Sequence, residues 1–131
     1  MIVRDGGGIR GWLESKLGCT FADPCEVIGI LDRTGRPIGA ALFNDRSCRN
    51  IELTVYGPGA FRRDVCRQIA AYCFDQMRCE RITVRTRYGN EKVRAIIERF
   101  GWKPEGILRN FYGDDDAVIY GMLRTECRFL N

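Results

Sequence analysis

Histidine is absent from all 131 residues. That removes Ser-His-Asp and Cys-His nucleophilic sites, histidine metal centres and the usual neutral-pH base in one step. Any proton transfer must fall to a carboxylate, tyrosine, cysteine, lysine or water. The seven cysteines, at positions 19, 25, 48, 66, 73, 79 and 127, form no C-x-x-C pair, so neither structural zinc nor a secreted disulfide framework is expected. Cys66 and Cys73 fall on one helical stripe, and reduced core thiols are the expectation for most of the seven. Fixed charge is uneven: residues 46–109 hold 14 Lys+Arg against 7 Asp+Glu, and the remainder holds 7 against 10. An anion would be held in the middle of the chain, and arginine, 18 of the 21 basic residues, suits phosphate oxygens through its planar fork. Solvation of most of these arginines is the competing reading.

The elements that must position these groups follow from periodicity. A short strand at Met1–Arg4 is followed by the breaker Gly6-Gly7-Gly8. Ile9, Leu13 and Leu17, spaced four apart, predict a helix over 9–17. Glu26–Leu31 and Pro37–Phe43 are apolar strand-length runs joined by the turn residues 32–36. In Asn50–Tyr56, Ile51, Leu53 and Val55 face one way, and Glu52, Thr54 and Tyr56 the other. Gly57-Pro58-Gly59 stops that strand. Phe61–Met77 then carries apolar residues at helical spacing with arginines opposite. A strand at Arg81–Thr86, a helix over Asn90–Phe100 stopped by Gly101, and a hairpin of Ile107–Phe111 with Val118–Leu123 around Asp114–Asp116 complete the chain. The order β-α-β-β-β-α-β-α-β-β predicts an α/β (α+β) single domain over 1–131 with a mixed sheet.

Length and composition agree with one soluble domain. There is no room for a second, and no window approaches the ~18 uncharged apolar residues of a membrane span. The N-terminal residues show no signal-peptide apolar region, so a cytoplasmic setting is expected.

Asn90, Phe100-Gly101-Trp102-Lys103-Pro104-Glu105-Gly106-Ile107-Leu108-Arg109 and Tyr120-Gly121-Met122 together resemble the C-terminal half of GNAT-superfamily N-acetyltransferases. Asn-x10-Gly-aromatic followed by Glu-Gly-x-x-Arg looks most like the branch of ribosomal-protein N-terminal acetyltransferases, and like small phage-encoded GNAT proteins. The resemblance is strong from about Ala60 onward and implies the GNAT acyl-CoA N-acyltransferase fold with one N-terminal helix where the family usually carries two.

By that resemblance the fourth and fifth strands part, and the pantetheine arm of acetyl-CoA lies on the backbone of Leu53, Thr54 and Val55. The pyrophosphate is expected at the start of the Phe61 helix, at Gly59, Ala60, Phe61, Arg62 and Arg63, where unpaired N–H groups and the helix dipole favour an anion. Glu52, pointing away from the Ile51-Leu53-Val55 face, is the candidate to relay the proton lost by an amine. Asn90 is either a contact to cofactor or water or the N-cap of its helix, or both. The tyrosine many members place four residues before the helix-ending glycine is Ile97 here, and Tyr88 and Tyr120 are the candidate substitute acids. The family's Gln/Arg-x-x-Gly-x-Gly/Ala loop is not matched by Tyr56–Arg62.

The implied function is direct transfer of acetyl from acetyl-CoA, without a metal, to an amine on a small molecule or peptide. The acidic tip Asp114–Asp116 is a candidate attractor for a cationic amine or a solvated turn. A catalytically inactive GNAT-like binding or assembly module is the second reading. Nucleic-acid binding through Arg85, Arg87, Arg94 and Arg99 is a weaker third, with no recognised module in support. An open edge of a shortened sheet favours strand pairing between two copies, hence a homodimer.

Overall fold

The computed structural model describes residues 1–4 and 8–130. Of the breaker glycines, Gly6 and Gly7 lie outside the described residues, and Gly8 opens the first helix. The elements are β1 (Ile2–Arg4), α1 (Gly8–Leu17), β2 (Glu26–Leu31), β3 (Pro37–Ser47), β4 (Asn50–Tyr56), α2 (Arg63–Ala70), β5 (Arg81–Arg87), α3 (Glu91–Arg99), β6 (Lys103–Leu108) and β7 (Ala117–Leu123). The seven strands form one sheet in the order β1-β2-β3-β4-β5-β7-β6, in which only β4 and β5 run parallel. This is the mixed α/β sheet and the element order that the periodicity predicts.

Alternation along the strands sorts the two faces. Ile51 and Leu53 of β4, Ile82 and Val84 of β5, and Val118, Tyr120 and Met122 of β7 join Val65, Ile69 and Phe74 and the α3 residue Ile97 in the larger core. On the opposite face α1 buries Ile9 and Leu13 against Val27, Ala40 and Leu42. Trp12 of α1 reaches the end of β4 on that face, its ring 5.7 Å from that of Tyr56. Among the described residues no helix is long and apolar enough to cross a membrane.

Three expectations change. The helix predicted from Phe61 to Met77 is three pieces: a 3-10 turn over Pro58–Phe61, an extended Arg62 at φ −65, ψ 145, then α2, which widens into a π-helical segment over Ala71–Gln76. The extended residue lets the turn lie against the sheet before the helix starts. The strand expected at Ile107–Phe111 is β6, Lys103–Leu108. Pro104 and Gly106 argue against a central strand, but β6 is the sheet's last strand, where a missing N–H breaks no ladder. The cysteines are less buried than expected: Cys73 and Cys79 are buried, Cys25, Cys66 and Cys127 half-buried, and Cys19 and Cys48 exposed.

Candidate active site

The parallel pairing of β4 with β5 covers only Asn50–Leu53 against Arg81–Val84. Beyond it the strands follow different neighbours. Thr54, Val55 and Tyr56 stay on β3 opposite Leu42, Ala41 and Ala40, whereas Arg85, Thr86 and Arg87 stay on β7 opposite Ile119, Val118 and Ala117. A gap therefore opens with Leu53 and Val84 as its last rung, and past it the β5-facing side of β4, along Thr54 and Val55, has no strand partner. A Cβ on Gly39 of β3 would lie 2.6 Å from the Ala60 nitrogen, so its absence lets the 58–61 turn sit directly on β3 and carry the end of β4 with it.

On the helical face the gap leads into an apolar cavity of about 50 Å³ lined by Leu53, Val55, Val84, Phe61, Ile97 and Phe100, with Trp102 and Phe129 at its sides. Phe61 and Phe100 meet edge-on at 6.5 Å, and Phe100 packs on Phe129 at 5.7 Å. On the opposite face lies Glu52. Its Oε2 accepts a 2.7 Å hydrogen bond from Arg85 Nη2, with side-chain exposures of 21% and 33%. Burial, and then a hydrogen bond shared with Asp45, push the Glu52 carboxyl above its ordinary value, and the Arg85 charge opposes them without reversing the direction.

At the mouth of the gap Gly59 and Ala60 are buried on β3, and Phe61 belongs to the 3-10 turn, so neither glycine nor alanine forms the first turn of α2 as expected. The helix starts at Arg63, and its first turn holds an anion of its own. Asp64 receives Arg62 Nε at 3.2 Å and Nη2 at 2.7 Å, and this pairing, with backbone N–H groups of the turn, holds the Asp64 carboxyl below the usual carboxylate range. Arg63 is exposed beside it.

Asn90 caps α3, its side-chain oxygen accepting the Val93 N–H at 3.4 Å. Neither tyrosine lines the cavity. Tyr88 is 47% exposed, and its ring lies 4.6 Å from the Arg94 guanidinium. Tyr120 is fully buried. Its hydroxyl donates to Glu98 Oε2 at 2.6 Å and accepts from Arg94 Nε at 3.2 Å, and burial followed by the Glu98 bond pushes the phenol upward. The acidic tip is committed to the chain itself: Asp114 pairs with Arg87 at 2.6 Å, Asp115 accepts the Gly89 N–H at 2.9 Å, and Asp116 accepts the Asn110 N–H at 2.7 Å. Arg85 and Arg87 are likewise paired with Glu52 and Asp114, and Arg94 contacts the two tyrosines.

Two members of this arrangement escaped sequence reasoning. Arg85 alternates with Thr83 on the face that carries Glu52, so setting β4 parallel to β5 would have found it. Asp45 gave no signal, because it sits where the expected β3 had already ended.

This architecture matches solved structures over almost its whole length. The spermidine/spermine N-acetyltransferase SpeG of Vibrio cholerae superimposes with a TM-score of 0.77 at 13% identity, covering 95% of each chain. The chain has the GNAT fold. A SpeG structure in complex with CoA and spermine matches with a TM-score of 0.69 at 18% identity over 92% of this chain and 76% of that one. No family model matches. In sequence, 65 residues are 35% identical to the "Putative ribosomal N-acetyltransferase YdaF" of Bacillus subtilis, a stretch that spans 47% of this chain and only 36% of the relative. That relative carries the name of the branch which the Asn90–Arg109 motifs resemble.

Proposed function

We propose that the chain is a cytoplasmic N-acetyltransferase that moves acetyl from acetyl-CoA directly to an amine. The observation that carries this reading is the gap past Leu53 and Val84, with an apolar cavity on one face and an upward-shifted carboxyl on the other. The donor supplies an activated acetyl thioester. Thr54 and Val55 would hold its amide-bearing arm by strand-like hydrogen bonds, with Leu53 below and Phe61 and Phe100 packed along it. Arg62, Arg63 and the first turn of α2 would hold its phosphates. The cavity is small for such an arm, so the Phe61–Phe100 contact must part on binding. Glu52, on the acceptor side, takes the proton that the amine sheds, and strand N–H groups stabilise the charge developing on the carbonyl oxygen. A neutral amine is required for attack, so a base raised towards neutrality is better matched than an ordinary carboxylate. Tyr88, Tyr120 and Asn90 serve α3 in this reading, the last as its N-cap. The acceptor in this reading is an amine on a small molecule or a peptide, and the polyamines named for the SpeG structures are the first to test.

A non-catalytic module is the second reading, favoured by Asp64 in the anion position and by Ile97 in the cavity wall. Calorimetry with acetyl-CoA and desulfo-CoA separates the two, followed by a thiol-release assay over spermidine, spermine and short peptides. Saturable binding weakened in Arg62→Ala/Arg63→Ala, with amine-dependent thiol release lost in Glu52→Gln, supports the enzyme. Binding without turnover of any amine supports the module. No binding at high protein concentration refutes both uses of CoA.

A further inference from the structure

Where the first strands meet the end of α2, the helical face of the sheet carries a groove of about 460 Å³, joined to a narrower hollow of about 30 Å³ against β2. Arg4, Gln68 and Tyr72 line both. Its volume is that of a small-molecule site, roughly 300–1,000 Å³. None of its residues lines the apolar cavity beside the gap. The wall on the helix side is the π-helical segment, which supplies Tyr72 and Gln76, and such a widening is rare and recurs at functional sites. Two contacts fix the Tyr72 ring in that wall: the Phe43 ring at 4.7 Å and the Arg4 guanidinium, 5.5 Å from its centre.

The polar groups of the groove are left open. Arg4 pairs with Ile28 across β1 and β2, and Glu26 lies two residues from Ile28 along β2, so both project from one face. They form no ion pair with each other. Among the described residues, neither they nor the side chains of Gln68, Tyr72 and Gln76 make a hydrogen bond or ion pair within the chain. Elsewhere on the sheet such groups are spent on one another, Arg81 on Glu105, Arg85 on Glu52 and Arg87 on Asp114. Asp75, at the groove's edge, is spent on Arg124 at 2.8 Å, which leaves Glu26 as the groove's unpaired carboxylate among the described residues. Arg4, Glu26, Gln68 and Gln76 stand at the exposed rim, and Tyr72 is half-buried. Burial, and then the Glu26 charge, raise the Tyr72 phenol above its ordinary value, so its hydroxyl stays a donor through neutral pH.

We propose that this groove binds a free α-amino acid with an apolar side chain: Arg4 takes the carboxylate, Glu26 the ammonium, and Ile28, Phe43 and the Tyr72 ring carry the side chain. Two residues of strand rise and one step between strands put the Arg4 and Glu26 Cα atoms about 8 Å apart, a span their long side chains close around two charges borne by one carbon. A cation alone would meet Arg4, and an anion alone would meet Glu26. A zwitterion satisfies both. The site stands apart from the acetyltransferase reading and does not depend on it.

The test is calorimetry on the whole chain with phenylalanine and leucine, each beside its N-acetyl and its amide derivative, for the native protein, Arg4→Gln, Glu26→Gln and Glu52→Gln. The free amino acids should bind saturably. Affinity should fall about tenfold or more for either derivative, and equally in Arg4→Gln and Glu26→Gln, because each change removes a charge-assisted hydrogen bond. Both groove substitutions alter exposed side chains, so thermal melts should match the native protein, and the derivatives test the same two contacts without any substitution. Glu52→Gln, on the other face of the sheet, should bind as the native chain does. No saturable binding of either amino acid overturns the proposal, as does binding that survives loss of the ammonium, the carboxylate or either groove charge. Binding lost in Glu52→Gln instead seats the amino acid on the acceptor side of the gap, which overturns the groove and supports the acetyltransferase reading.

Discussion

Replacing Tyr120 by phenylalanine removes a single oxygen from a fully buried side chain, and its consequence separates a structural from a catalytic hydroxyl. The native hydroxyl donates to Glu98 at 2.6 Å and accepts from Arg94 at 3.2 Å, tying β7 to successive turns of α3. A hydrogen bond to a charged group contributes about 1.5–3 kcal/mol. Glu98 is exposed and Arg94 half-buried, so both can turn to water once the phenol is gone. That recovery brings the cost of Tyr120→Phe to about 1–2 kcal/mol. With the unfolding entropy of a chain this size, the loss lowers Tm by about 4–7 °C. The pH dependence has a definite sign. The folded phenol is raised above its unfolded value, so its contribution is fully present below the unfolded value of about 10 and is lost as pH rises through the raised native value. The stability difference between native and variant should thus be flat from pH 7 to about 9 and shrink above about 10. Thermal and urea melts across that range measure it. An unchanged Tm at pH 7, accompanied by loss of acetyl transfer, would refute this assignment and place the hydroxyl among the reacting atoms.

Two further outcomes follow from the mouth of the gap. Gly39→Ala sets a methyl group 2.6 Å from the Ala60 nitrogen, a backbone atom that cannot step aside, so it should destabilise the fold by about 1–3 kcal/mol in urea melts and weaken CoA binding by displacing the 58–61 turn. Asp64→Asn releases Arg62 and removes the carboxylate already seated on the first turn of α2; calorimetry should find CoA bound more tightly than by the native chain, and unchanged affinity would mean that the phosphates do not approach this turn.

What could be read without tertiary structure was whatever repeats within a few residues. The 3.6-residue spacing of Ile9, Leu13 and Leu17 and the alternation through Asn50–Tyr56 gave α1, β4 and the face that carries Glu52. Asn90 was legible as a cap because an N-cap bonds three residues ahead along its own helix. The resemblance of the Asn90–Arg109 motifs supplied the fold and the expected parting of the fourth and fifth strands. Local pattern failed where the deciding partner is distant in sequence. The gap begins past Leu53 and Val84 because the following residues of β4 stay with β3 while those of β5 stay with β7. Tyr120 as an anchor depends on Glu98, 22 residues away, and the commitment of Arg85 depends on Glu52, 33 residues away. The strand expected from Ile107 begins instead at Lys103, and Pro104 fits it because the sheet order puts β6 at an edge. The sequence alone settled the order of helices and strands and, in α1 and β4, which way the side chains point, because those are short-range properties of the backbone. Only the folded sheet decided where the strands part and which charges are already spent on one another, because each of these depends on segments brought together from far along the chain.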